Sequence, residues 1–169
     1  SVSLRQGKMD RTLRVLEETK PSTPSQRQEY LLLQAEASMQ LGRYRDAQTA
    51  YSEFSRKFSD SRYARQSLYG LAWARLRNDD FTGAQSVFDS LSRGKDSLAF
   101  TSLYESGVLS LLQERTNIAM LAFASLTGRS PYDNDAVRAY FQMGLIQYRG
   151  SHFRAEVCRR RRSRDDVRR

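Results

Sequence analysis

The 169-residue chain has few of the residues on which catalytic and metal sites depend. Its single cysteine, Cys158, excludes an internal disulfide and cannot supply the paired spacings of a structural zinc site. The single histidine, His152, has no serine or cysteine nucleophile that the sequence spacing would place beside it. We expect this histidine to be exposed in a turn. A glycine-rich phosphate loop and a calcium-loop pattern are both missing. We therefore expect a protein that is not an enzyme and has no catalytic residues, no metal site and no cofactor.

Long apolar runs are missing as well. The longest, such as residues 106–112, are mixed with small polar residues and fall far short of the roughly 18 apolar residues of a membrane helix. We therefore predict no transmembrane segment. β-branched residues are sparse and polar–apolar alternation is not sustained, so the sequence predicts no strands either.

Charge is abundant but unevenly placed. The formal net charge is +9, yet residues 154–169 alone hold eight arginines and three acidic residues. The remainder of the chain is only mildly basic, with its charges spread over many predicted helix faces.

Small and aromatic residues recur at a fixed distance along the chain. An alanine is followed four places later by a large aromatic residue in three pairs, which are Ala47 with Tyr51, Ala84 with Phe88, and Ala119 with Phe123. A second series of small residues runs in phase with them and consists of Ala35, Ala72, Gly107 and Gly144. Steps of 35 and 37 residues are typical of stacked helical hairpins. In each hairpin a small residue on the first, outgoing helix lets the second, returning helix approach closely.

The periodicity predicts an all-α, right-handed superhelix (an α-solenoid) of about four helical hairpins preceded by one leading helix. Predicted helices cover 9–18, 26–41, 44–58, 63–77, 81–91, 98–112 and 117–126, and a fourth unit runs from 133 to a turn at 150–153. The predicted organisation is a leading half-repeat and linker at 1–25, repeats at 26–61, 62–95 and 96–131, an incomplete repeat at 132–157, and a basic tail at 158–169. The sequence opens close to an inter-helix turn, so we expect a fragment of a longer protein.

The segment Gly-Arg-Tyr-Arg-Asp-Ala-Gln-Thr-Ala-Tyr at 42–51 resembles the tetratricopeptide repeat. That family combines a small residue in the first helix, Gly-x-aromatic at the turn and Ala-x-x-x-aromatic in the second helix. The resemblance covers roughly residues 4 to 157 and implies a noncatalytic scaffold for protein–protein interaction. Two departures are visible, since Asp79 and Glu114 replace the turn glycine, and the usual tryptophan is replaced by Leu31, Leu68, Leu103 and Tyr140.

A narrower similarity concerns the junction between the first two repeats. Residues 54–64 look like the inter-repeat junction of bacterial envelope repeat proteins, including outer-membrane assembly lipoproteins and the periplasmic partner of the Tol-Pal system. The junction has Ser59 where a proline is usual. This similarity implies a location in the bacterial cell envelope or periplasm, and a cytoplasmic location is the alternative.

The tetratricopeptide resemblance also implies a partner-binding groove, because outgoing helices line the concave face of such superhelices. The predicted groove residues are Leu32, Glu36, Met39, Tyr69, Trp73, Arg77, Tyr104, Val108, Leu111, Phe141, Leu145 and Tyr148. We expect Trp73, Tyr69 and Tyr104 to be central anchors for a protein or peptide, and flanking arginines at 65, 77 and 138 to favour acidic character in it. Alternatively, individual tyrosines are packing residues covered by the next unit.

Three other interpretations stay open. The arginine run at 159–162 could bind nucleic acid or an anionic surface, although it is also explained by a non-native end. An RNA-binding array would spread basic and stacking residues over every unit, so we do not expect nucleic acid as the main partner. The chain could be a noncatalytic part of a larger multidomain protein, and its terminal repeats could self-associate through exposed apolar surface.

Overall fold

The computed structural model describes the backbone of residues 2–18 and 21–166, and the side chains of residues 7–16, 18 and 21–152. Within this part of the chain all regular structure is helical, which confirms the predicted fold class. The helices are α1 (Val2–Glu18), α2 (Pro24–Gln40), α3 (Tyr44–Lys57), α4 (Ala64–Arg77), α5 (Phe81–Leu91), α6 (Ser97–Leu112), α7 (Thr116–Arg129) and α8 (Asn134–Asp166). None of the described helices is both long and apolar enough to cross a membrane.

The chain forms two compact units, Ser1–Ser102 and Leu103–Arg169, and the boundary falls within α6. In the first unit consecutive helices pack on each other, from α1 on α2 to α4 on α5. In the second unit α7 packs on α8, and the ring of Phe123 on α7 contacts Gly107 on α6. Pairing of neighbouring helices is the packing expected of helical hairpins.

The outgoing helices of all three hairpins end in the same turn. Gly42, Asp79 and Glu114 each adopt a left-handed backbone, with φ of 75°, 61° and 59°. The next residue donates its N–H to the carbonyl five residues earlier, at 2.8, 2.9 and 2.8 Å respectively. This is the Schellman arrangement, which satisfies the last carbonyls of a helix and reverses the chain.

Because the turns are alike, the predicted small and aromatic residues take equivalent places. Ala47, Ala84 and Ala119 are each the fourth residue of a returning helix, and all three are fully buried. The aromatic residue four places later is buried in each case. The alanine and aromatic series of the returning helices therefore marks contacts between helices.

Two glycines allow an aromatic ring of a returning helix to approach an outgoing helix closely. A Cβ atom at Gly107 would lie 2.5 Å from Cε1 of Phe123, so the predicted approach of the returning helix at Gly107 is confirmed. In the first unit a Cβ at Gly70 would overlap the ring of Tyr51. The repeat spacing predicts a small residue at Ala72 but not at Gly70, because Gly70 receives an aromatic ring from the preceding hairpin.

The predicted turn at 150–153 is wrong, because α8 continues through it. His152 accordingly lies exposed on a helix and not in a turn, with its ring 5.8 Å from that of Tyr148. One glycine costs a helix only about 1 kcal/mol relative to alanine. A returning helix, in contrast, needs an apolar stripe to pack, and the arginine-rich sequence after Phe153 has none. Gly144, the last member of the small-residue series, is consequently exposed and faces no returning helix.

The leading helix α1 spans Val2–Glu18 and so begins before the predicted 9–18, and the inter-helix turn expected close to the start of the sequence is wrong. Leu13 and Leu16 pack with Ala37 of α2 in a small buried cluster. Met9, Tyr30 and Leu41 cover the edges of this cluster.

Candidate protein-binding surface

Half of the predicted groove residues lie on α2 and α4, two outgoing helices that contact each other across α3. Spacings of three or four residues place them on one stripe of each helix. We call this surface the α2–α4 face, and its residues are Leu32, Glu36 and Met39 on α2, and Tyr69, Trp73 and Arg77 on α4. Leu32 and Met39 are half-buried, and both pack against a buried core cluster that contains Tyr51 and Leu71.

The aromatic part of the face is anchored on the returning helix α5. The rings of Tyr69 and Trp73 meet the buried ring of Phe88 edge-on, with centroids 5.8 and 6.1 Å away, and lie 6.4 Å from each other. Both side chains are half-buried. Ala72 and Ala74 are fully buried beside Trp73, and the indole also packs in the hairpin against Phe88. Trp73 therefore contributes to the core as well as to the surface.

Tyr51 lies at the base of the face, between α2 and α4. Its ring packs against Gly70, and the side chain is buried. Burial raises the pKa of Tyr51 to about 12, and the negative charge of Glu36 adds to this effect. Glu36 therefore lies close enough to Tyr51 to act on its hydroxyl, while its own side chain is exposed.

The arginines expected to flank the groove differ in availability. Arg65 donates through Nε and Nη2 to the carboxylate of Asp96, at 3.1 and 2.9 Å, and through Nη2 to the carbonyl of Leu91. Arg77 is exposed, and its guanidinium carbon lies 6.0 Å from the ring centroid of Tyr44. Arg65 closes the α5–α6 loop and does not offer a free charge, so the expectation for Arg65 is wrong.

In the second unit Tyr104 is not a surface anchor. Its side chain is 5% exposed, its ring centroid is 5.7 Å from that of Phe123, and the guanidinium carbon of Arg138 lies 4.0 Å from it. Arg138 also donates to Asp135 at 2.7 Å, so its charge is already paired. The alternative of a packing tyrosine is therefore correct for Tyr104, and Arg138 does not flank a groove with free charge.

The carboxylate of Glu105 on α6 is influenced by the charges of Arg138 and Asp135. Burial raises the pKa of Glu105, Arg138 opposes this and Asp135 adds to it. The cluster lies within the second unit and ties α6 to α8.

The other predicted residues of the second unit divide into two groups. Val108, Leu111 and Leu145 are half-buried, whereas Phe141 and Tyr148 are exposed on α8. Val137 and Tyr140 are exposed on the same helix. We call Val137, Tyr140, Phe141 and Tyr148 the α8 face.

Elsewhere in the described part of the chain the structure offers little for chemistry. No group of three or more His, Cys, Asp or Glu side chains there is arranged to hold a metal ion. The side chains of the predicted basic tail at 158–169, including the arginine run at 159–162, lie outside the described residues. Two contributors to the α2–α4 face were missed by sequence reasoning, namely Tyr44 beside Arg77 and Gly70 beside Tyr51. Gly-x-aromatic at the turn points to Tyr44, but nothing local distinguishes Gly70.

The stacked hairpins and their shared turn define a helical-repeat protein of the kind that presents surfaces to partners. The tetratricopeptide repeat family model matches residues 29–61, which cover most of α2, all of α3 and the junction that follows. Repeats of this family generally mediate protein–protein interaction and form a noncatalytic fold. No curated protein sequence matches the chain.

Proposed function

We propose that this chain is a noncatalytic interaction module that binds a peptide or a helix of a partner protein on the α2–α4 face. One observation carries the proposal: Tyr69 and Trp73 are fixed on Phe88 yet half-exposed, beside half-buried Leu32 and Met39. A rigid aromatic centre loses little conformational entropy on binding, and such residues are typical hot spots.

The charges on the face suggest what the partner looks like. Glu36 and Arg77 are exposed on neighbouring stripes, so the face has one acidic and one basic group around an apolar centre. Since Arg65 and Arg138 are paired internally, an acidic partner is not favoured over others. We infer that the partner segment is an amphipathic helix or extended peptide with aromatic or aliphatic anchors and charges of both signs.

The test uses the only tryptophan in the chain, because Trp73 lies in the proposed site and its fluorescence reports on contact there. Short peptides selected from a display library on the immobilised protein are titrated while Trp73 emission is followed. We expect a saturable change in emission. Glu36→Lys and Arg77→Glu are expected to weaken binding by about tenfold or more, because each reversal sets a like charge opposite a charge of the partner. Arg93→Glu, a charge reversal at an exposed site in the loop after α5, is the matched control and should leave affinity unchanged.

Two results would contradict the proposal. The first is a set of selected peptides that bind without any change in Trp73 emission. The second is affinity that responds to Arg93→Glu as much as to Arg77→Glu, because binding would then depend on general charge.

We also propose a location in the bacterial cell envelope. The support is the junction at 54–64, whose sequence looks like that of envelope repeat proteins. Detection of the protein in the periplasmic fraction of its source cells tests this, and recovery with the cytoplasmic fraction would support the alternative.

A further inference from the structure

The described helices α1 and α8 each present an open apolar surface. The returning helix α3 lies between α2 and α4 and packs on both. The leading helix α1 packs on α2, and its other flank lines an open groove. The last helix, α8, packs on α7 and leaves the α8 face exposed.

The groove beside α1 is mostly apolar. It has a volume of ≈ 510 Å³ and is lined by Lys8, Met9, Arg11, Thr12, Val15, Leu16 and Leu33. Leu16 and Leu33 also line an adjoining depression of ≈ 280 Å³ that continues towards Tyr30. Leu33 is 48% exposed although it is a large aliphatic residue. We call this surface the α1–α2 groove.

The α8 face has the features of an outgoing helix that lacks its returning partner. Gly144 lies 37 residues after Gly107, and in α6 Gly107 receives the ring of Phe123. A Cβ at Gly144 would meet nothing within 4 Å. Phe141, three residues before it, is 66% exposed. The position that accepts a returning helix in α6 is thus open in α8.

The α1–α2 groove has the complementary property. Leu16 lies 35 residues before Tyr51, so it occupies the place of the large residue on a returning helix. Tyr51 fills the space between two outgoing helices, α2 and α4, whereas Leu16 has α2 on one side and the groove on the other. An outgoing helix is the element that would complete the surroundings of α1.

We propose that the α8 face of one copy of this chain packs into the α1–α2 groove of a second copy. A second copy is the occupant because this chain carries both an outgoing helix without a returning partner, α8, and a returning helix without an outgoing partner, α1. Gly144 and Leu16 lie at the repeat positions that meet in a complete hairpin. The proposal goes beyond the binding of a partner on the α2–α4 face and involves different residues. The interface is heterologous, since each copy contributes a different surface, and a bound copy keeps one surface free for another.

Sedimentation velocity of the whole chain over a range of concentrations tests the proposal. The unsubstituted protein is expected to form dimers and larger species as concentration rises. Phe141→Glu blocks the α8 face and Leu33→Glu blocks the α1–α2 groove, so each variant alone should be monomeric. An equimolar mixture of the two variants retains one intact pair of surfaces and should form a dimer and nothing larger.

The control is Leu121→Glu, which places the same charge on an apolar side chain of α7 that is 72% exposed and outside both surfaces. It should associate like the unsubstituted protein. Circular dichroism checks that each variant is folded, and Tyr148→Glu and Val15→Glu replace the first pair if one of them is not.

Several outcomes would overturn the proposal. An unsubstituted protein that stays monomeric at every concentration rules out the interface. A Leu33→Glu variant that still dimerises, while Phe141→Glu does not, indicates a symmetric pairing of two α8 faces. A mixture of folded variants that remains monomeric shows that the two surfaces do not meet.

Discussion

The two units of this protein differ in how many of their large apolar side chains are exposed. In the first unit the exposed ones that the structure describes are Val15, Leu33 and Phe81. In the second unit they are Leu112, Ile118, Leu121, Tyr132, Val137, Tyr140, Phe141 and Tyr148. The second unit is the shorter of the two, so the difference does not follow from size.

Part of the difference follows from how many flanks of each helix are covered. In the first unit α2, α3 and α4 each pack on a helix before and after them in the chain. Two of the three exposed residues there, Val15 and Leu33, line the groove beside α1, the helix with an open flank. In the second unit α8 has an open face over much of its described length. A hairpin of this type buries one side by itself and depends on neighbours for the other. The open face of α8 accounts for Val137, Tyr140, Phe141 and Tyr148, while the other four exposed residues of the second unit lie on α6, on α7 and in the loop between α7 and α8.

The largest expected difference comes from replacing a phenylalanine by alanine on a covered surface and on an open surface of the second unit. Phe123→Ala removes a fully buried ring that fills the space beside Gly107 and Tyr104. It should lower the free energy of unfolding by about 3–5 kcal/mol. Phe141→Ala should change it by less than about 0.5 kcal/mol, because the ring is exposed. Urea denaturation followed by circular dichroism measures both.

Dilute protein is needed for this measurement, so that association through the α8 face does not contribute. Equal losses for Phe123→Ala and Phe141→Ala would mean that the α8 face is covered in the folded monomer.

A second comparison uses the two glycines of the repeat series in this unit. Gly107→Ala should lower the free energy of unfolding by about 1–3 kcal/mol, since the new methyl group would overlap the buried ring of Phe123. Gly144→Ala should raise it by about 0.5–1 kcal/mol, because alanine is the better helix former and no atom is nearby. Urea midpoints of the two variants should therefore move in opposite directions. A destabilising Gly144→Ala would show that this position is occupied.

A third test concerns the covered flank of the first unit, where Tyr51 lies between α2 and α4. Its pKa in the folded protein is about 12, against 10.0 for an ordinary tyrosine, because burial and Glu36 disfavour the charged phenolate. The folded state therefore binds the proton of the Tyr51 hydroxyl more tightly than the unfolded state does. The stability that this difference contributes is complete below pH 10 and is lost as pH rises towards 12. We expect a loss of roughly 1 kcal/mol by about pH 11.

The alkaline loss should be smaller in Tyr51→Phe, which has no group to ionise at this position. Tyr132→Phe is the control, because its side chain is almost fully exposed, and it should keep the loss. Urea titrations at neutral and alkaline pH give the comparison, and an alkaline loss that Tyr51→Phe leaves unchanged would show that Tyr51 is not the group responsible.

Much of the fold could be predicted because its determinants are local and periodic. The turns at Gly42, Asp79 and Glu114, and the alanine and aromatic residues that follow them, recur in the sequence at the distances that the structure uses. The fourth hairpin could not be predicted in the same way. Its small residue at Gly144 and its turn-like sequence at 150–153 are local signals, but a hairpin also requires a returning helix with an apolar stripe.

The candidate site was less predictable, because it depends on contacts between hairpins. The sequence identified the stripe on α2 and α4 but not the pairing of Arg65 with Asp96 or the burial of Tyr104. Spacing shows which residues share a helix face. It does not show which of them meet a ring or a carboxylate about 30 residues away in the chain.

The smallest expected effect concerns the three hairpin turns, which differ in the residue at the left-handed position. Gly42 adopts φ of 75° without steric cost, whereas Asp79 and Glu114 hold side chains in the same left-handed region. Asp79→Gly and Glu114→Gly should each stabilise their unit by about 0.5–1 kcal/mol, and Gly42→Ala should destabilise the first unit by about 1 kcal/mol. Differential scanning calorimetry should show the two upward shifts and the one downward shift. If Asp79→Gly instead destabilises, the Asp79 side chain makes a favourable contact that outweighs the strain, and the three turns are not equivalent in energy although they share one hydrogen-bond pattern.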